Sequence, residues 1–141
     1  MRITLIAAFV LLSPLPSALG QEKFIIGSVV NIQKIEDELD GCACRLDTIF
    51  VSTVDGSKAW MNFSDEVTEL TLIKATRPST GTKTFYRKYK AGAISIIVDF
   101  QKIPKSADEN EESEGSRVNA TITIIKGHHK EVFKVSGLCA C

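Results

Sequence analysis

Hydrophobic and polar residues alternate along most of this chain with the two-residue period of a β-strand, and the helical period is nearly absent. The clearest run is RVNATITIIK (117–126), where Val118, Ala120, Ile122 and Ile124 face one way and Asn119, Thr121 and Thr123 the other. In AISIIVDFQKI (93–103), Ile94, Ile96, Val98 and Phe100 form one apolar face, and Pro104 ends the run. Further strand-like runs are ACRLDTIFVSTV (43–54), KAWMNF (58–63), VTELTLIKA (67–75), TFYRKY (84–89) and the closing HKEVFKVSGLCAC (129–141). FIIGSVVNIQKI (24–35) is also rich in β-branched residues, and EDELDG after it reads as a polar turn or a single helical turn. Asp55-Gly56 is a hairpin signal, Ala91-Gly92 and Gly127-His128 mark turns, and RPSTGT (77–82) reads as a loop. About eight short strands at this spacing predict an all-β fold, an antiparallel barrel or sandwich.

Two segments break the pattern. Residues 1–20, MRITLIAAFVLLSPLPSALG, read as a signal peptide. Arg2 gives the positive start, Ile3–Leu12 is an apolar run of ten with one Thr, and Ala18 and Gly20 sit at −3 and −1 of a cleavage site before Gln21. The run is shorter than the roughly 20 residues that span a bilayer. Residues 105–115, KSADENEESEG, carry five acidic residues in the seven from Asp108 to Glu114, with no large apolar residue, and are expected to form a flexible acidic loop. Residues 21–141 are then one β domain, periplasmic or secreted, with no stable membrane insertion after signal removal. Without Arg2 the chain has 16 Lys and Arg against 17 Asp and Glu, a balance that gives no general attraction to nucleic acid.

The four cysteines form two tight pairs, Cys42/Cys44 and Cys139/Cys141. In an exported chain an even number reads first as disulfides. Residues i and i+2 of a strand share a face, so Cys42 and Cys44 share one with Leu46, Phe50 and Val54, and Cys139 and Cys141 share one with Phe133 and Val135. All four sulfurs are therefore expected on the core side, where the last strand returns beside the strand from residue 42. An antiparallel return joins Cys42 to Cys141 and Cys44 to Cys139; a parallel one joins Cys42 to Cys139 and Cys44 to Cys141. Two bridges at adjacent same-face positions are tight, and Gly41 and Gly137 offer places for a bulge. The alternative use is a four-thiolate metal site, although zinc sites favour Cys-x2-Cys. Thiol–disulfide exchange favours Cys-x-x-Cys.

Other candidate chemistry is sparse. His128 and His129 are adjacent, so on a strand they point apart, and they read as an exposed turn. Neither a Gly-x-Ser-x-Gly elbow, a His-Glu-x-x-His pair nor a phosphate-binding Gly loop occurs, and a non-enzyme without a cofactor is expected. Lys83, Arg87, Lys88 and Lys90 with Phe85, Tyr86 and Tyr89 form a basic, aromatic stretch that reads as one exposed strand, and Trp60 reads as core. Asn62-Phe63-Ser64 and Asn119-Ala120-Thr121 are sequons lying in expected strands.

The layout Gly41-Cys42-Ala43-Cys44, Ala59-Trp60-Met61-Asn62 and Ser136-Gly137-Leu138-Cys139-Ala140-Cys141 resembles small, uncharacterised exported bacterial proteins with paired Cys-x-Cys ends. The stretch from Glu69-Leu70 through Gly81 to Tyr86 is similar to one in the periplasmic inhibitors of c-type lysozyme, small barrels with a Cys near each end. That resemblance implies an enzyme inhibitor. The doubled cysteines depart from it, and the family's inhibitory Ser and Lys are not assigned to positions of this chain, so no functional residue is carried over. The expected function is a non-enzymatic exported binding module with a protein partner; the alternative is a thiolate metal-binding protein. An apolar-ligand carrier would require a hollow barrel.

Overall fold

The computed structural model describes residues 23–76, 83–104 and 115–141. The expected signal peptide (1–20), the expected loop at 77–82 and all of the expected acidic loop but Gly115 lie outside these residues. Nine strands and one helix follow in order: β1 (Ile26–Gly27), α1 (Gln33–Leu39), β2 (Ala43–Leu46), β3 (Phe50–Ser52), β4 (Lys58–Phe63), β5 (Glu66–Ala75), β6 (Thr84–Ala91), β7 (Ile94–Lys102), β8 (Ser116–Lys126) and β9 (His129–Ala140). Pairing runs β4-β3-β2-β9-β8-β7-β6-β5 and returns from β5 to β4, which closes an antiparallel barrel of eight strands; β1 adds to β4 beside β3.

The alternation seen in the sequence is the in-and-out alternation of this barrel. Ile96, Val98 and Phe100 of β7 and Val118, Ala120, Ile122 and Ile124 of β8 point inward, with Leu46, Phe50, Ala59, Met61, Leu70 and Tyr89. An eight-stranded barrel has an interior just wide enough for side chains to fill. Here these buried side chains pack as one cluster inside the barrel.

Two local readings are corrected. The run 43–54 is not one strand. It folds back at Asp47, whose φ is 45°, so that Leu46 pairs with Phe50 across a tight hairpin. Because the pair is four residues apart, Leu46 and Phe50 still face inward together, and only Val54, past the end of β3, is exposed. The run 24–35 supplies only the two residues of β1. After it, Ile32, Ile35 and Leu39 fall at helical spacing and form the apolar side of α1, which lies on Ala43, Val51 and Trp60. Trp60 is core, as expected, but in this second cluster on the outer side of β2–β4. Arg45 clamps Glu36 with two hydrogen bonds of 3.0 and 2.7 Å, and Lys58 meets Glu38 at 2.7 Å, which ties α1 to β2 and β4.

β2 and β9 pair without interruption from Ala43↔Ala140 to Leu46↔Gly137, so the bulge considered for the cysteine strands is absent. Gly137 serves a different purpose. A Cβ there would collide with the Arg45 carbonyl oxygen and lie 3.0 Å from the Leu46 Cα, both backbone atoms. Gly137→Ala therefore forces β2 away from β9, at an expected cost of about 1–3 kcal/mol, read as a lower urea midpoint. An unchanged midpoint would show that the two strands can separate freely at this point.

Candidate functional site

The antiparallel return places Cys42 against Cys141 and Cys44 against Cys139, and both pairs are disulfides. Only the inner bridge belongs to the core. Cys44 is buried and Cys139 packs on the barrel cluster, while Cys42 is half-buried and Cys141 exposed at the rim. The expectation of four core-facing sulfurs holds for two of them, because Cys42 and Cys141 lie beyond the ends of β2 and β9. Two disulfides point to a non-reducing, extracytoplasmic environment.

The basic stretch of β6 is taken apart by the barrel. Phe85, Arg87 and Tyr89 point inward, and the alternate residues Tyr86, Lys88 and Lys90 point outward. Arg87 is 5% exposed. Its guanidinium donates to the Val54 carbonyl at 2.6 Å and to the Ser52 hydroxyl at 3.3 Å, and stacks 5.3 and 5.2 Å from the ring centres of Phe85 and Phe100. The Tyr89 hydroxyl donates to the Gly56 carbonyl at 2.9 Å. These bonds draw the Asp55-Gly56 turn over one end of the barrel. The reading of this stretch as one exposed strand fails because Arg87 has the parity of an inward position, and its long stem and planar head let it satisfy its donors there.

At the other end, Phe24 is the tie. Its amide donates to the Glu131 carboxylate at 2.6 Å, and its ring lies 5.0 Å from His129 and 6.5 Å from Phe63. His128 is exposed, but His129 is half-buried and sits 3.2 Å from Glu131, so only one of the two is an exposed turn residue. The Phe24 amide, then His129, hold the Glu131 carboxyl below its usual range. In the Asp55-Gly56 turn, the Ser57 amide and the Thr53 and Ser57 hydroxyls hold Asp55 at about 2, below its ordinary 3.8. Both carboxylates take up protons more readily in the unfolded chain. Their stabilisation is complete above the ordinary carboxylate range and is lost as pH falls through their lowered values, which for Asp55 means toward about 2. Asp55→Asn should flatten the decline of the urea midpoint over that interval; an unaltered decline would remove Asp55 from its cause.

The remaining candidate is a cleft of about 960 Å³ on the outer face of β6–β9. Register places Tyr86, Asp99, Thr121 and Lys134 in one row across the four strands, and Thr84, Gln101, Asn119 and Ser136 in the next. Asp47 and Thr76 border it. Asn119, of the second sequon, is exposed on this face, whereas Asn62, of the first, donates to the Ser28 carbonyl and packs under Gly27. Sequence reasoning missed the cleft because its residues come from four strands and no local pattern joins them; the available signal was the polar side of the alternating runs. Among the described residues, no group of three or more His, Cys, Asp or Glu side chains is placed to hold a metal ion, and no helix is long and apolar enough to cross a membrane. No protein-family model, curated protein or solved structure matches the chain.

Proposed function

We propose that this protein is an exported, non-enzymatic binding module, delivered by residues 1–20 as a signal peptide, which engages its partner through the outer cleft of β6–β9. The observation that carries the reading is the division of labour in the barrel. The interior holds a largely apolar cluster with Arg87 and Ser52 buried beside it, the disulfides secure one end, and the open cleft with its polar rows lies outside, on rigid strands. Binding surfaces on rigid elements hold their geometry well.

The test compares wild-type protein with Asp99→Arg/Thr121→Arg as baits in the same extracellular extract, and as additions to a c-type lysozyme assay. The expected result is a component retained, or an activity lowered, by wild type and not by the variant. Identical behaviour of the two would overturn the reading. The thiolate alternative is separated by elemental analysis of anaerobically purified protein: stoichiometric metal lost on Cys42→Ser and Cys139→Ser would favour it.

A further inference from the structure

The cleft on β6–β9 has a mixed lining: Phe85, Phe100, Ala120 and Val135 contribute to it between rows of outward polar side chains. Its outward side chains are a phenol, carboxylates, an amine, amides and hydroxyls. Asp47 and Asp99 against Lys134 leave the lining one net negative charge, which disfavours an anionic ligand. Asp99 and Lys134 lie on strands two apart with Thr121 between them, roughly 10 Å at ordinary strand spacing, and are not paired with each other. No hydrogen bond within the described residues occupies the side chains of Asp99, Gln101, Asn119 or Lys134.

These features describe a surface whose donors and acceptors are both unspent. Such a surface is satisfied by a ligand that carries both in close repetition. Vicinal hydroxyls do so: a carboxylate can accept from two neighbours at once, and an amide can accept from one while donating to the other. Tyr86 adds an aromatic body with a polar tip for the apolar face of a sugar ring. The row from Tyr86 to Lys134 crosses three strand spacings, about 14 Å, which accommodates several rings of a chain lying across the strands.

We propose that the cleft binds a neutral oligosaccharide, with Asp99 and Tyr86 as its principal contacts. The inference rests on the assignment of the cleft as the binding surface. The test is an array of neutral, sialylated and uronic-acid oligosaccharides probed with the full chain, followed by calorimetric titration of the retained glycans. The expected result is retention of neutral glycans, with affinity reduced at least tenfold by Asp99→Asn and by Tyr86→Ala. Both variants should keep the wild-type urea midpoint, because Asp99 is exposed and Tyr86 faces outward; Glu69→Gln, on β5, should bind as wild type. Retention of no glycan, retention of anionic glycans alone, or wild-type affinity in both cleft variants would overturn the proposal. If the array fails but the extract still yields a component that only the wild-type bait retains, the saccharide is wrong and the binding surface stands. If both fail, both readings fall.

Discussion

Loss of one disulfide is expected to cost about 2 kcal/mol, and loss of the second a further 4–5 kcal/mol or so. The asymmetry follows from where the bridges lie. They join residues 99 and 95 apart in sequence, at neighbouring positions of one strand pair. Either bridge alone closes the chain from residue 42 or 44 to its last residues into one large ring. The other then closes only a small ring through residues 42–44 and 139–141, which removes much less entropy from the unfolded chain. The total approaches the entire stability of a small domain, so the fully reduced chain should be largely unfolded. The measurement is urea unfolding of Cys42→Ser/Cys141→Ser, Cys44→Ala/Cys139→Ala and the quadruple variant. Alanine is preferred at the inner pair because Cys44 is buried and a serine hydroxyl there would need a partner. Single-bridge variants as unstable as the quadruple one, or a quadruple variant with a wild-type midpoint, would contradict the ring argument.

The meeting of the two cysteine pairs was legible in the sequence for the same reason that the all-β class was, while the choice between antiparallel and parallel pairing, and between barrel and sandwich, was open. A period of two assigns each residue a face, and a strand pair carries that assignment across the sheet. The runs of β7, β8 and β9 could be read almost residue by residue, because one side of each is buried in the barrel. The segment before Cys42 could not. Ile25, Ile26, Val29 and Val30 have the composition of a strand, yet Asn31 at φ 59° turns the chain away. Ile32, Ile35 and Leu39 then serve a helix because Trp60 and Val51 offer them an apolar outer surface. Composition dominated that reading where spacing should have. The hairpin at Asp47 was hidden for a different reason: a turn between residues of equal parity leaves the alternation intact.

The cleft was the least legible feature. It depends on register among four strands, and register is set by long-range pairing. What the sequence does contain is the polar half of each alternating run. Asn119 and Thr121 on β8 and Asp99 and Gln101 on β7 stand opposite the core positions, and the barrel lines them up. The same alternation, applied to β6, would have separated Phe85, Arg87 and Tyr89 from Tyr86, Lys88 and Lys90. A charged residue at an inward position went against expectation, and the cluster of basic residues obscured the alternation.

That inward arginine yields the second large effect. Arg87→Ala removes a buried stem, two hydrogen bonds and the stacking over Phe85 and Phe100, and it opens a cavity beside the turn. The expected cost is about 3–5 kcal/mol, the range for deleting a large buried side chain. Two further variants separate packing from polarity. Arg87→Met refills most of the volume and relieves the desolvation of a cation that has no carboxylate within its hydrogen bonds, so it should recover much of the loss. Arg87→Lys retains the charge but cannot present a planar head to the two rings while reaching both Val54 and Ser52. It should remain close to Ala in stability. Ser52 keeps a bond to the Thr53 carbonyl at 2.9 Å in every variant, so the Val54 carbonyl is the acceptor left open. The predicted order of urea midpoints is wild type, then Met, then Lys and Ala together. Faster amide exchange at Gly56 should accompany each loss, since its turn is what Arg87 and Tyr89 hold down. If Lys matches wild type, charge alone suffices and the fork geometry is irrelevant; if Met matches it, the polar contacts contribute nothing and Arg87 acts only by filling space.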